Sequence, residues 1–207
     1  MSNALSIAAV TATIKNLLEN GLVSDAIAAS VGDVLVSAIP PDKIQVGTDE
    51  RAQINLFLYH VTQNRNVDWI SRTSDNKDNP RSTNPPLALD LHYLLTAYGP
   101  KDFQSEILLG YAMQLLHSSP IIKFEVIESA LKNSSQTSTS SVFSQALAGI
   151  SVSDLARQIG QIKVSPEFLS MEDTSKIWSA LQTNYRPSAT YNASMVLIES
   201  GSTDKQD

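Results

Sequence analysis

The stretch that most constrains this chain runs from Asn84 to Gly99 and reads NPPLALDLHYLLTAYG. Two prolines close a loop, and a run of strand-forming residues follows. Leu87, Leu89, Leu91, Tyr93 and Leu95 fall on one face of a period-2 pattern, and Ala88, Asp90, His92, Leu94 and Thr96 fall on the other. One face is continuously apolar and the second is mixed. That pattern predicts a strand inside a sheet with one well-covered side. Pro85 and Pro86 precede the strand, so no ladder donor is lost within it. The stretch says how the domain is built, but its chemistry names no reaction.

Other segments supply its neighbours. Ile54 to Val61 reads as a second strand, with Ile54, Leu56 and Leu58 on one face and Phe57, Tyr59 and Val61 on the other. Both faces are apolar, which predicts a central position. Val34 to Ile39, Gln161 to Ser165 and Ala189 to Ile198 read as further strands. In the last, Tyr191, Ala193, Met195 and Leu197 share a face. Helices are predicted over Ser6–Asn20, with Gly21 as its stop, over Ser24–Ser30, from Asp102 as N-cap, and from Ser170 through Leu181; Ile121 to Leu131 fits a strand or a short helix, with a helix after Phe124 preferred. In the first helix Ile7, Val10, Thr11, Ile14, Leu17 and Leu18 form the apolar face, which packs on the sheet or meets a neighbouring subunit. In the helix after Asp102 the stripe is Phe103, Ile107, Leu108, Tyr111, Ala112 and Leu115. Ser170 with Asp173 forms a capping box.

The order is not strict strand–helix alternation. It predicts an α+β fold with one mixed, mostly antiparallel β-sheet flanked by amphipathic helices. A single domain over residues 1–200 is expected, with flexible segments near 63–86 and 132–153 and a polar tail at 201–207. Asn133 to Ser153 carries no charge and is dense in Ser and Thr, so it reads as an excursion from the domain.

Composition bounds the functional classes. The 207 residues suffice for one domain with a full core, and 42% of them are hydrophobic. There is no cysteine, which excludes disulfides and thiolate metal sites and fits a reducing compartment. A net charge of −6 argues against a nucleic-acid surface. No apolar run approaches the roughly 20 residues of a membrane helix, and the N-terminus has no basic start followed by an apolar segment. The expectation is a protein assembled in the cytoplasm without a signal peptide or direct membrane insertion.

The motif search predicts no catalytic set, no cofactor and no metal. There is no GxGxxG, Walker loop, HExxH or GxSxG. Gly149-Ile150-Ser151-Val152-Ser153 starts like a nucleophile elbow but lacks the closing glycine. Asp90 and His92 share a strand face, a spacing that could orient an imidazole for hydrolysis. The preferred reading is a hydrogen-bonded pair. Residues 75–79, DNKDN, lack the Gly and distal Glu of a calcium loop.

Four segments resemble one family: INLFLYHVTQN from Ile54, NPPLALDLHYLLTAYG from Asn84, SEILLGYAMQLLHSSPII from Ser105, and KIWSALQTNYRPSATYNASMVLIES from Lys176. In this order they closely resemble the cap, or tail-terminator, proteins of extracellular contractile injection systems. These are the phage-tail-like particles of the antifeeding-prophage and virulence-cassette type. The resemblance implies a hexameric ring on the distal end of the inner tube, touching the tube protein and the last layer of sheath protein. The role it implies is structural. Two other readings stay beside it: another tube or sheath adaptor of the same particle, and a hydrolase using Asp90 and His92.

Trp69 in the polar segment 63–86, with Tyr185 and Arg186 in the last turn, are the candidate partner contacts, because aromatics and Arg dominate interface energetics. The polar tail shows no apolar periodicity. Deleting Gly201 to Asp207 is therefore expected to leave the melting temperature unchanged. A drop as large as that of a core mutation would show the tail to be structural.

Overall fold

A computed structural model describes residues 2–24, 31–47, 50–64, 87–137 and 142–198. The helix expected at Ser24–Ser30, nearly all of the 63–86 segment with Trp69, and the polar tail lie outside the described residues. The helices are α1 (Ser6–Ser24), α2 (Gln104–Ser118), α3 (Phe124–Thr137), α4 (Val142–Ala148), α5 (Val152–Ile159) and α6 (Met171–Ala180). The strands are β1 (Leu35–Ser37), β2 (Gln53–Gln63), β3 (Leu87–Tyr98), β4 (Ile121–Ile122), β5 (Ile162–Glu167) and β6 (Ser188–Ile198). They form one sheet in the order β1-β2-β3-β6-β5-β4. Among the described residues only β1 and β2 run parallel, and every other pair is antiparallel. The fold is α+β, as the sequence predicts.

The long strand β3 sits inside the sheet, paired with β2 on one side and β6 on the other. Its apolar face faces the helices. Leu91, Tyr93 and Leu95 are fully buried in a cluster with Val10, Ile14 and Leu18 of α1 and with Leu108 and Leu116 of α2. The one polar atom on this face of β3 is accommodated: the Tyr93 hydroxyl lies 2.8 Å from Thr11 Oγ1. Burial pushes the Tyr93 phenol well above its ordinary pKa.

Two β-bulges change which residues face the core. Between Leu89 and Leu91 the register advances two residues on β3, while on β6 it runs from Val196 to Ala193. The extra residue flips the alternation. Tyr191 and Ala193 face the core as predicted. Beyond the bulge Val196 and Ile198 join the core cluster, where unbroken alternation places Leu197. The second bulge lies at Tyr59, between Leu58 and His60. β2 is also less central than its sequence implies. β1 covers only Gln53 to Asn55, and His60 and Val61 are exposed.

The helices depart from expectation in three places. Gly21 does not stop α1, which continues to Ser24. A Cβ there would lie 2.3 Å from Leu115 Cδ2, and the Tyr111 hydroxyl donates to the Gly21 carbonyl at 2.5 Å. This glycine permits a close approach of α1 and α2. Asp102 does not cap α2; Phe103 does, with φ 63° and no side-chain cap bond. Phe103 and Ile107 leave the predicted stripe for solvent, and Leu116 replaces them on the buried side. Asn133 to Ser153 holds the end of α3, all of α4 and the start of α5, with Leu147 buried in the core.

Phe103 combines left-handed backbone with 74% exposure. Phe103→Gly is therefore expected to stabilise the fold by roughly 1 kcal/mol, because the Cβ strain disappears and no core contact is lost. Thermal unfolding checks this, and a lower Tm would refute it.

Candidate functional site

Three chain segments meet beside the end of β3. The Glu50 carboxylate accepts from the Gly99 amide at 3.0 Å and from the Gly47 amide at 3.4 Å. Arg186 donates to both of its oxygens, Nη2 at 3.1 Å and Nη1 at 3.4 Å. The Arg186 guanidinium also lies 5.5 Å from the centroid of the Tyr98 ring. One carboxylate thus gathers the approach to β2, the exit of β3 and the approach to β6. The Glu50 side chain is only 8% exposed, against 29% for Arg186. Arg186, a candidate partner contact, is already engaged within its own chain. Sequence reasoning missed Glu50, since nothing local signals a partner 136 residues away.

Tyr185 precedes this clasp and is half-exposed. Its ring meets Trp178 edge-on, with centroids 5.9 Å apart. Trp178 is buried on α6, a helix that starts as predicted: the Ser170 hydroxyl accepts from the Asp173 amide at 3.1 Å. Of the three sequence candidates, the structure brings Tyr185 and Arg186 together at one end of the sheet. Trp69 lies outside the described residues.

The mixed face of β3 carries a polar row. Register aligns Ser165 with Asn192, Asn192 with His92, and His92 with His60 across four strands. His92 is held from both sides, Nδ1 lying 2.9 Å from Glu167 Oε2 and Nε2 lying 2.8 Å from Thr62 Oγ1. Asp90 accepts instead from Asn64 Nδ2 at 2.9 Å. Asp90 and His92 therefore do not form the expected pair; each has its own partner. The distant residue that matters to His92 is Glu167, which local spacing could not reveal. Tyr59 joins the same carboxylate at 3.5 Å. Burial, and then the charge of Glu167, push its phenol up to about 12.

The elbow-like serines have structural partners. Ser151 caps α5 by accepting from the Asp154 amide, and the Ser153 hydroxyl donates to Glu128 of α3. Among the described residues, no group of three or more His, Asp or Glu side chains is arranged to hold a metal. A cavity of about 710 Å³ runs along α1, lined by Ile7, Ala8, Ala12, Leu58 and Phe143, with Lys15 and Glu19 also on its wall.

No curated protein matches. One solved structure that matches is titled as an extracellular contractile injection system, PVC sheath/tube terminator in extended state, determined by cryo-EM. The likeness has a TM-score of 0.45 at 15% identity and covers 90% of this chain. This chain spans 57% of the length of that one. The Pvc16 N-terminal domain family matches over residues 9–207, nearly the whole sequence. The chain belongs to the Pvc16 N-terminal domain family.

Proposed function

We propose that this protein is the terminator of a contractile injection particle, a structural cap that ends the inner tube and anchors the last sheath layer. The observation that carries the reading is the family match over residues 9–207, in agreement with the four ordered segments of the sequence. Its partners are the tube protein, the sheath protein and further copies of itself, closed into a ring of six. It works within the assembled particle, by contact rather than by catalysis. Among the described residues no helix is long and apolar enough to cross a membrane.

The physics of the role is simple. Adding a tube ring is favourable at every open end, so length control requires something that occupies the end and offers no equivalent docking face. Its contacts must at least match those of one more tube ring, or growth would displace it. Ring closure needs heterologous contacts whose rotation closes on itself.

A deletion strain viewed by electron microscopy tests the reading. Tubes of uncontrolled length, or sheaths that fail to persist in the extended form, are the expected result. Particles of normal length with an intact extended sheath would overturn it. Averaged images of capped ends test the stoichiometry, and a terminal ring of other symmetry would refute six copies.

A further inference from the structure

Two features on the outer side of α2 weaken the chain taken alone. Phe103, at its N-terminus, holds left-handed backbone while its ring stands in solvent. Gly110 lies within the helix, where glycine is less favourable than alanine, yet a Cβ there would meet nothing within 4 Å. No packing among the described residues requires a phenyl ring at the first position or a bare backbone at the second. Both belong to one face. Phe103, Ile107, Gly110 and Met113 recur at three- and four-residue spacing, and all four are exposed. This face is an apolar ridge with a notch at Gly110, the form that lets a second backbone come close. Between Phe103 and Met113 it carries a single charge, Glu106.

A matching hollow lies on another helix. The cavity of about 710 Å³ along α1 has Ile7, Ala8, Ala12, Leu58 and Phe143 on its wall, and no residue of α2 lines it. The ridge therefore cannot fill the cavity of its own chain. Lys15 and Glu19, also on the wall, pair with each other at 2.5 Å, so the cavity is mainly apolar and carries no net charge.

We propose that the occupant of this cavity is the α2 ridge of a second copy of the chain. Ile107 and Met113 enter on either side of Gly110, which lies against Ala8 and Ala12, and Glu106 comes beside Lys15. Helices dock into apolar grooves elsewhere through anchors at this spacing. Charge and size select the occupant. Two ridges facing each other across a two-fold axis would set Glu106 against Glu106, whereas the cavity wall offers Lys15. The ridge spans about 15 Å of a helix about 10 Å wide. That footprint is well below the roughly 800 Å² per partner that holds free proteins together. It suits copies already held side by side. Ridge and cavity lie on different helices, so each copy can give one contact and receive another. The inference rests on the ring proposed above only for the arrangement that brings copies together.

The test uses the full chain, which has no cysteine of its own. Ala8→Cys marks the cavity, and Gln114→Cys, exposed and one turn beyond Gly110, marks the ridge. Labelling with a monofunctional maleimide checks that each thiol reacts, and Ala4→Cys, exposed on the same wall, replaces Ala8→Cys if it does not. With a short bismaleimide at roughly millimolar protein, the mixed variants are expected to form a cross-linked dimer roughly tenfold faster than either alone. Adding Gly110→Leu to the ridge variant is expected to abolish that excess with Tm unchanged or raised, since the site is open and leucine favours the helix. Equal rates in all three samples, or a ridge variant that cross-links as fast by itself, would overturn the proposal. So would a Gly110→Leu variant that cross-links undiminished. That failure would leave the terminator reading standing, because tube length in the deletion strain is measured without reference to this contact.

Discussion

Arg186→Ala is expected to destabilise the fold by about 3 kcal/mol, because it strands the Glu50 carboxylate where only 8% of its side chain reaches solvent. At about 2–4 °C per kcal/mol for a domain of this size, Tm should fall by roughly 10 °C. The loss would come mainly from the unpaired charge rather than from a missing contact. Replacing both partners, Arg186→Met with Glu50→Gln, is accordingly expected to recover part of the loss, although the Gly47 and Gly99 amides still need an acceptor. Thermal unfolding of the two single variants and the double variant measures this directly. A shift of under about 2 °C for Arg186→Ala would mean that the clasp behaves as an ordinary surface ion pair.

Leu91→Ala is expected to cost about 3–4 kcal/mol, again close to 10 °C in Tm. Leu91 is fully buried in β3, in register with Val61 on one side and Ala193 on the other. A rigid sheet beneath a layer of helices cannot collapse into the space left behind. Leu87→Ala, on the same alternation but 46% exposed at the start of the strand, should cost less than about 1 kcal/mol. Equal effects at the two positions would show that burial is not what sets the cost. Denaturant unfolding with a constant m-value separates a true stability change from an altered unfolded state.

What could be read from sequence was whatever depends on neighbours along the chain. The period of β3 and the Ser170 cap both follow from local spacing, and each is present. The misreadings share a cause: the deciding residue is far away in sequence. Gly21 looks like a stop until Leu115 and Tyr111 are seen packed on it. His92 looks like a partner for Asp90 until β5 brings Glu167 to its other nitrogen. Leu197 looks like core until the bulge in β6 reverses the alternation. Tyr185 could be singled out as an aromatic in a turn. Its edge-on contact with Trp178 could not, because no periodicity links a helix to the turn that folds back on it.

The two ends of the sheet bear on aggregation. Outermost on one side is β1, three residues long and followed two residues later by Pro40 and Pro41. Outermost on the other is β4, two residues long, entered from Pro120, with Pro166 in the adjoining strand β5. Where β2 extends past β1, the bulge at Tyr59 distorts its outer margin. Short, proline-bounded or kinked margins are poor templates for another strand. Copies of this protein crowded side by side therefore have little means of recruiting one another by strand addition, the route that leads to fibres. Under the role proposed above, a molecule that ends one polymer is built so as not to begin another.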